Sequence, residues 1–222
     1  MKSLQHQIWH LLSLGILLYA TQYYLGVSDK ALDGSLWGIA TEVWLWAAII
    51  VPILHQTYVA MCWRAELYHQ LLTKAFGTMA FRWYKVGFAI LILARPVTLV
   101  LLSISSAESL DINTGIAWGL ATLLCVPAAY TGYSVKKFFG VDRAFGIDHF
   151  EPEWAKSLPF VKEGIFKYTN NAMYLFGFMA LWAIALFFRS EAALVVALFS
   201  HLYIWVHFAF TEMPDMKEIY GD

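Results

Sequence analysis

The residues best suited by type and spacing to do chemistry gather near the end of the chain. Glu212 and Asp215 are two carboxylates in the exit from a long apolar run that carries His201, Trp205 and His207. Asn170, Asn171 and Tyr174 stand at the start of the apolar run before it. Carboxylates bind an ammonium group or ribose hydroxyls, and the faces of Tyr168, Tyr174, Trp205, Phe208 and Phe210 attract a cation such as a sulfonium. The set suits a cationic, adenine-bearing ligand. Each residue also has a plain structural use. An asparagine at a helix start is a natural N-cap, and Pro214 and Tyr220 serve as exit and anchor residues.

The elements that must bring these residues together are two apolar helices. About fifteen apolar residues follow Tyr174, then a short charged turn, Arg189-Ser190-Glu191, then about eighteen more. So short a turn forces an antiparallel hairpin. The hairpin returns the exit, around Glu212–Asp215, to the lead-in, around Asn171–Tyr174.

The chain has 222 residues, 60% hydrophobic and 14% charged, and its mean hydropathy is +0.58. A soluble domain carries about 25% charged residues. The composition therefore predicts an all-α, polytopic integral membrane bundle forming a single domain over residues 1–222. Six segments are candidates to cross a bilayer, at about 8–25, 37–62, 84–104, 115–135, 172–188 and 191–209, with the fifth short. Five to six transmembrane helices result, the first read as retained, not as a cleaved signal. Lysine and arginine concentrate after segments two and four, which places those links and both termini in the cytoplasm; a bacterial inner membrane is the expected setting. The link 136–170 is rich in aromatics (Phe138, Phe139, Phe145, Phe150, Trp154, Phe160) and reads as a folded lid whose rings should bury. A net charge of −1 with no basic run offers nucleic acid no footprint. Cys62 and Cys125 form no CxxC pair and read as small apolar residues.

Other polar residues leave more than one reading open. His6 and His10, four apart, share a helix face, but metal catalysis would need further clusters, and no metal is expected. His55 and His69 lie about four turns apart on one face and admit a haem reading, which needs a second matching pair. His201 and His207 are about 240° apart around their helix and do not supply it. Arg95, next to Pro96 in the middle of segment three, costs at least roughly 2.5–3.5 kcal/mol at depth unless paired. It would hold a lipid phosphate, pair with a carboxylate such as Glu42, or reach a water-filled cleft.

The stretches GIFKYTNNAMY and TEMPDMKEIYG around the hairpin, with FFGVDRAFGI at 138–147, resemble the C-terminal half of the phospholipid N-methyltransferases and, more distantly, the isoprenylcysteine carboxyl methyltransferases. Asn171, Met173 and Tyr174 match the lead-in motif; Glu212, Pro214, Ile219 and Tyr220 match the exit. Ala172 stands where the family has proline, and Met213 where many members have a second glutamate. The resemblance covers about residues 115–222, with residues 1–114 matching only as apolar helices. It implies S-adenosylmethionine as methyl donor, bound by the C-terminal part through Asn171, Tyr174, Trp205, Glu212 and Gly119. The implied acceptor is a membrane lipid, most simply a phospholipid ethanolamine; the residues themselves then suggest Arg95 and His201 as lipid contacts and Glu212, His207 and Tyr174 as catalytic candidates. Another acceptor, a prenylcysteine carboxylate or a small thiol, and a non-enzymatic transport or haem-binding protein stay as alternatives.

Overall fold

The computed structural model describes residues 2–221. Six helices are long or apolar. They are α1 (Gln7–Val27), α2 (Thr41–His69), α4 (Ala80–Ser105), α5 (Thr114–Ser134), α8 (Met179–Phe187) and α9 (Glu191–His207). Between them lie the short helices α3 (Leu71–Phe76), α6 (Val141–Ala144) and α7 (Pro152–Ser157), and α10 (Met213–Tyr220) closes the chain. By length and composition, four continuous stretches can cross a membrane: Thr41–His69, Leu71–Ser105, Thr114–Phe139 and Glu191–Tyr220. Met173–Phe187 is apolar but shorter, as expected of the fifth segment. The expected start of the second segment moves from 37 to 41. Residues 35–40 instead form a two-stranded ribbon, Ser35–Leu36 against Ile39–Ala40, turning through Trp37 and Gly38.

The core is shared by both halves of the chain. Leu25 of α1, Leu45 and Ile49 of α2, Leu99 and Leu102 of α4, Leu181 of α8 and Val196, Phe199 and Tyr203 of α9 form one buried cluster. Helix α4 packs along α2, and α5 along α8. At one end of the bundle the turn into α9 is locked by Ser190. Its hydroxyl caps the helix by accepting from the Ala193 N–H at 3.1 Å and meets Ser106 Oγ at 2.7 Å. At the other end the two ends of the chain meet, with Lys2 Nζ 2.9 Å from a Glu218 oxygen.

The link between α5 and α8 folds over that second end. Gly146 sits at φ +84 directly on the indole of Trp63, where any Cβ would collide with the ring. This close approach lets His149 stack on the same indole, ring centroids 4.1 Å apart. Phe145 packs on Phe88, Phe150 on Phe81 and Tyr84, and Phe139 on Phe166. The expectation that every aromatic of the link buries is corrected at two positions. Trp154 and Phe160 remain exposed, because α7 and the extended Leu158–Pro159 stretch after it leave them facing away from the helices.

Candidate active site

Two regular helices would not place the site residues where they lie. Met173–Gly177, leading into α8, and Phe208–Glu212, following α9, are both π-helical turns. A π turn widens the helix by one residue and re-aims the side chains around it, and such turns concentrate at functional sites. Here the two face each other across the hairpin. The Tyr174 hydroxyl donates to Glu212 Oε2. The Tyr174 ring meets Trp205 edge-on at 6.0 Å and Phe208 at 5.9 Å. The meeting of lead-in and exit expected from the short turn is present at the level of a hydrogen bond.

Beside Tyr174 lies a cavity of about 420 Å³ among α2, α4, α5, α8 and α9. Its walls are mainly apolar. Ile92 and Pro96 of α4 line it with Ala128, Thr131 and Gly132 of α5, Gly177 at the end of the π turn, Phe178 just before α8, Leu181 of α8 and Ile204 of α9. Few polar groups reach it, and several of them lack partners. His207 is 1% exposed, and among the described residues neither ring nitrogen has a hydrogen-bond partner. Arg95, 4% exposed, lies 3.4 Å from His55 Nδ1 through Nη1 and above the Phe178 ring at 4.9 Å, while its Nη2 has no partner. His55 Nε2 and Trp63 Nε1 are likewise unpartnered. Buried polar atoms are nearly always satisfied, so this cluster of orphans marks where a polar ligand or water belongs.

The sequence-predicted residues separate into those the fold joins and those it does not. Tyr174, Trp205 and Glu212 form one contact group, and Tyr174, His207 and Arg95 border one cavity. Asn171 sits at the start of the π turn, its main-chain oxygen accepting from Tyr174 and Leu175 N–H. Neither Asn170 nor Asn171 caps through its side chain. The helix starts at Ala172 without a side-chain cap, because the buried Ala172 packs with Ile165 and Phe166. His201 accepts a hydrogen bond from Trp182 Nε1 at 3.1 Å and is absent from the cavity wall. Its ring also packs on Phe178, 5.5 Å between centroids, so it stands behind the cavity wall. Gly119 does not border the cavity either. It lies two to three turns, about 13 Å, before Ala128 on α5, and a Cβ there would meet nothing. Gly132 and Gly177 are the glycines that border the cavity. Glu42 is exposed at the start of α2, about four turns from His55, so it does not pair with Arg95.

Sequence reading missed the residues that hold the exit. Arg64, counted only as a topogenic charge, is buried against Asp215, Nε to Oδ2 3.2 Å. Tyr68 donates to the other Asp215 oxygen at 3.2 Å, and His149 Nε2 lies 3.7 Å from Oδ2. Tyr220 donates to Asp148 at 2.5 Å. Pro214 was the available signal. It has no N–H for the carbonyl four residues back, so that carbonyl, Phe210, needs a donor from elsewhere. Among the described residues no group of three or more His, Cys, Asp or Glu is arranged to hold a metal ion. His10 is occupied by Tyr203 and Thr211, and His69 is exposed while His55 faces Arg95.

The C-terminal half of the chain, residues 116–222, matches the family model described as phospholipid methyltransferase. No curated protein and no solved structure matches the chain.

Proposed function

From the premise that residues 116–222 are a phospholipid methyltransferase domain in a bundle of membrane helices, we propose that this protein N-methylates the ethanolamine headgroup of a phospholipid with S-adenosylmethionine as donor. The observation that carries the reading is the Tyr174–Glu212 pair, built by two opposed π turns at the edge of an apolar intramembrane cavity. The donor supplies an electrophilic methyl on a sulfonium. The residues present fit such a group: a carboxylate, the aromatic faces of Tyr174, Trp205 and Phe208, and a buried Asp148 oxygen without a partner. Asn171, at the start of the same turn, completes the donor side.

The acceptor amine is an ammonium at neutral pH and must lose a proton before it attacks. Glu212 binds the donor first. It is also the proton sink, reached through Tyr174, whose oxygen accepts from the substrate as its own proton passes to the carboxylate. His207, with both nitrogens unengaged at the cavity wall, is the alternative base or a headgroup contact. Arg95 takes the lipid phosphate, which provides the negative charge that no side chain among the described residues supplies to it. The acyl chains leave between α4 and α5, both of which line the cavity. Methyl transfer is an in-line displacement, so the main task of the protein is to align the reactants and exclude water. The site end of the bundle faces the cytoplasm on this reading.

The test is transfer of labelled methyl from S-adenosylmethionine into lipid, in membranes with the protein and with its Glu212→Ala form. Label in methylated phosphatidylethanolamines, absent with Glu212→Ala, is the expected result. S-adenosylhomocysteine binding without lipid label would redirect the acceptor to a prenylcysteine carboxylate or a thiol. Absence of both would refute the methyltransferase reading of this chain.

A further inference from the structure

Glu212 lies in a stretch of backbone that cannot satisfy itself. Pro214 removes the N–H that would bond the Phe210 carbonyl, and the π turn at Phe208–Glu212 shifts the neighbouring pattern by one residue. The missing donors come from the other half of the chain. Arg64 Nη2 donates to Phe210 O at 3.1 Å and Thr211 O at 3.4 Å. Gln7 Nε2 adds a second bond to Phe210 O at 3.1 Å. Arg64 Nη1 donates to the carbonyls of Ser3 at 3.3 Å and Gln5 at 2.7 Å, and Nε to Asp215 Oδ2 at 3.2 Å. All five N–H groups of the guanidinium thus have an acceptor. Two of those acceptors lie just before Glu212 and one lies just after it.

We propose that Arg64, which lies outside the region that matches the family, is a positioning residue for the active site. It grips the backbone on both sides of Glu212 and so fixes where that carboxylate meets Tyr174. A salt bridge alone would need only Asp215. The fork also feeds the Phe210 carbonyl, which Pro214 leaves without its helical donor, and reaches the Thr211 carbonyl beside it, and only an arginine has the donors and the planar spread to do both. Asp215 is in turn held by Tyr68 and faced by His149, which is stacked on Trp63. The grip therefore runs from the first residues through α2 and the lid to α10. The inference rests on Glu212 serving the donor, as proposed above.

The test uses the full chain in lipid nanodiscs. Arg64→Lys keeps the positive charge beside Asp215 but loses the fork. We expect S-adenosylhomocysteine affinity to fall at least tenfold, with amide exchange in 208–216 accelerated and the unfolding midpoint nearly unchanged. Pro214→Ala returns an N–H to the Phe210 carbonyl, and in the Arg64→Lys background it should recover part of the lost affinity. Arg64→Lys with native affinity and native exchange would overturn the proposal. So would a loss that follows the unfolding midpoint and is not relieved by Pro214→Ala, since that describes bulk stability and not positioning. If the native protein binds no S-adenosylhomocysteine, the functional reading fails. Exchange in 208–216 then decides the grip by itself: acceleration in Arg64→Lys with relief by Pro214→Ala upholds it, and unchanged exchange refutes it.

Discussion

At the scale of single residues, Tyr174 and Glu212 divide two tasks that one hydrogen bond connects. Glu212→Gln keeps an acceptor for the Tyr174 hydroxyl but removes the charge that a sulfonium needs. It should weaken S-adenosylhomocysteine binding, as read by titration calorimetry. Tyr174→Phe keeps the ring and the charge but breaks the connection, so kcat should fall about 10²-fold or more while donor affinity stays within a few-fold. Equal losses in both quantities for both variants would show that the pair acts only as scaffold. His207 separates differently. Its two buried nitrogens have no partners, so His207→Phe removes an unsatisfied polar group, and thermal unfolding should show no loss of stability. Activity should drop all the same if the imidazole touches the substrate. Unchanged turnover in His207→Phe would restrict the residue to packing.

The elements carry what was and was not legible in the sequence. The hairpin was readable because Arg189-Ser190-Glu191 is too short to allow anything else, and from it the meeting of Tyr174 with Glu212. The π turns that make the meeting a hydrogen bond were not readable, since a one-residue insertion in a helix leaves no periodic trace. Asn170 and Asn171 looked like caps because capping is local; the packing of Ala172 on Ile165 and Phe166 overrode it. Arg64 and Asp215 are far apart in sequence, and nothing in either run names the other. Gly119 and Gly132 are equally plausible glycines on one apolar helix, and only the position of the cavity along α5 distinguishes them. That position yields a prediction. A Cβ at Gly132 would meet no neighbour, so Gly132→Leu should be tolerated by the helix while filling the passage between α4 and α5. The expected result is a raised KM for the lipid with unchanged affinity for S-adenosylhomocysteine. Weakened donor binding instead would place the donor in the cavity, not beside it.

For the whole molecule, the region that carries the family match is not a unit that stands alone. Helices α8 and α9 bury their apolar faces against α1, α2 and α4, and the polar backbone around Glu212 depends on Arg64 and Gln7. Residues 107–222 expressed alone should therefore reach membranes without binding S-adenosylhomocysteine, and co-expression with residues 1–106 should restore binding. Binding by the fragment alone would show that the first helices only anchor. The meeting of the two chain ends has a further consequence, in the order of synthesis. The ribosome makes Ser3, Gln5 and Arg64 long before Phe210, Thr211 and Asp215, which supply the other contacts of the guanidinium. A nascent chain stopped after His207 would possess all six long or apolar helices, with Arg64 lacking its Phe210, Thr211 and Asp215 acceptors. Such a chain should be inserted and inert.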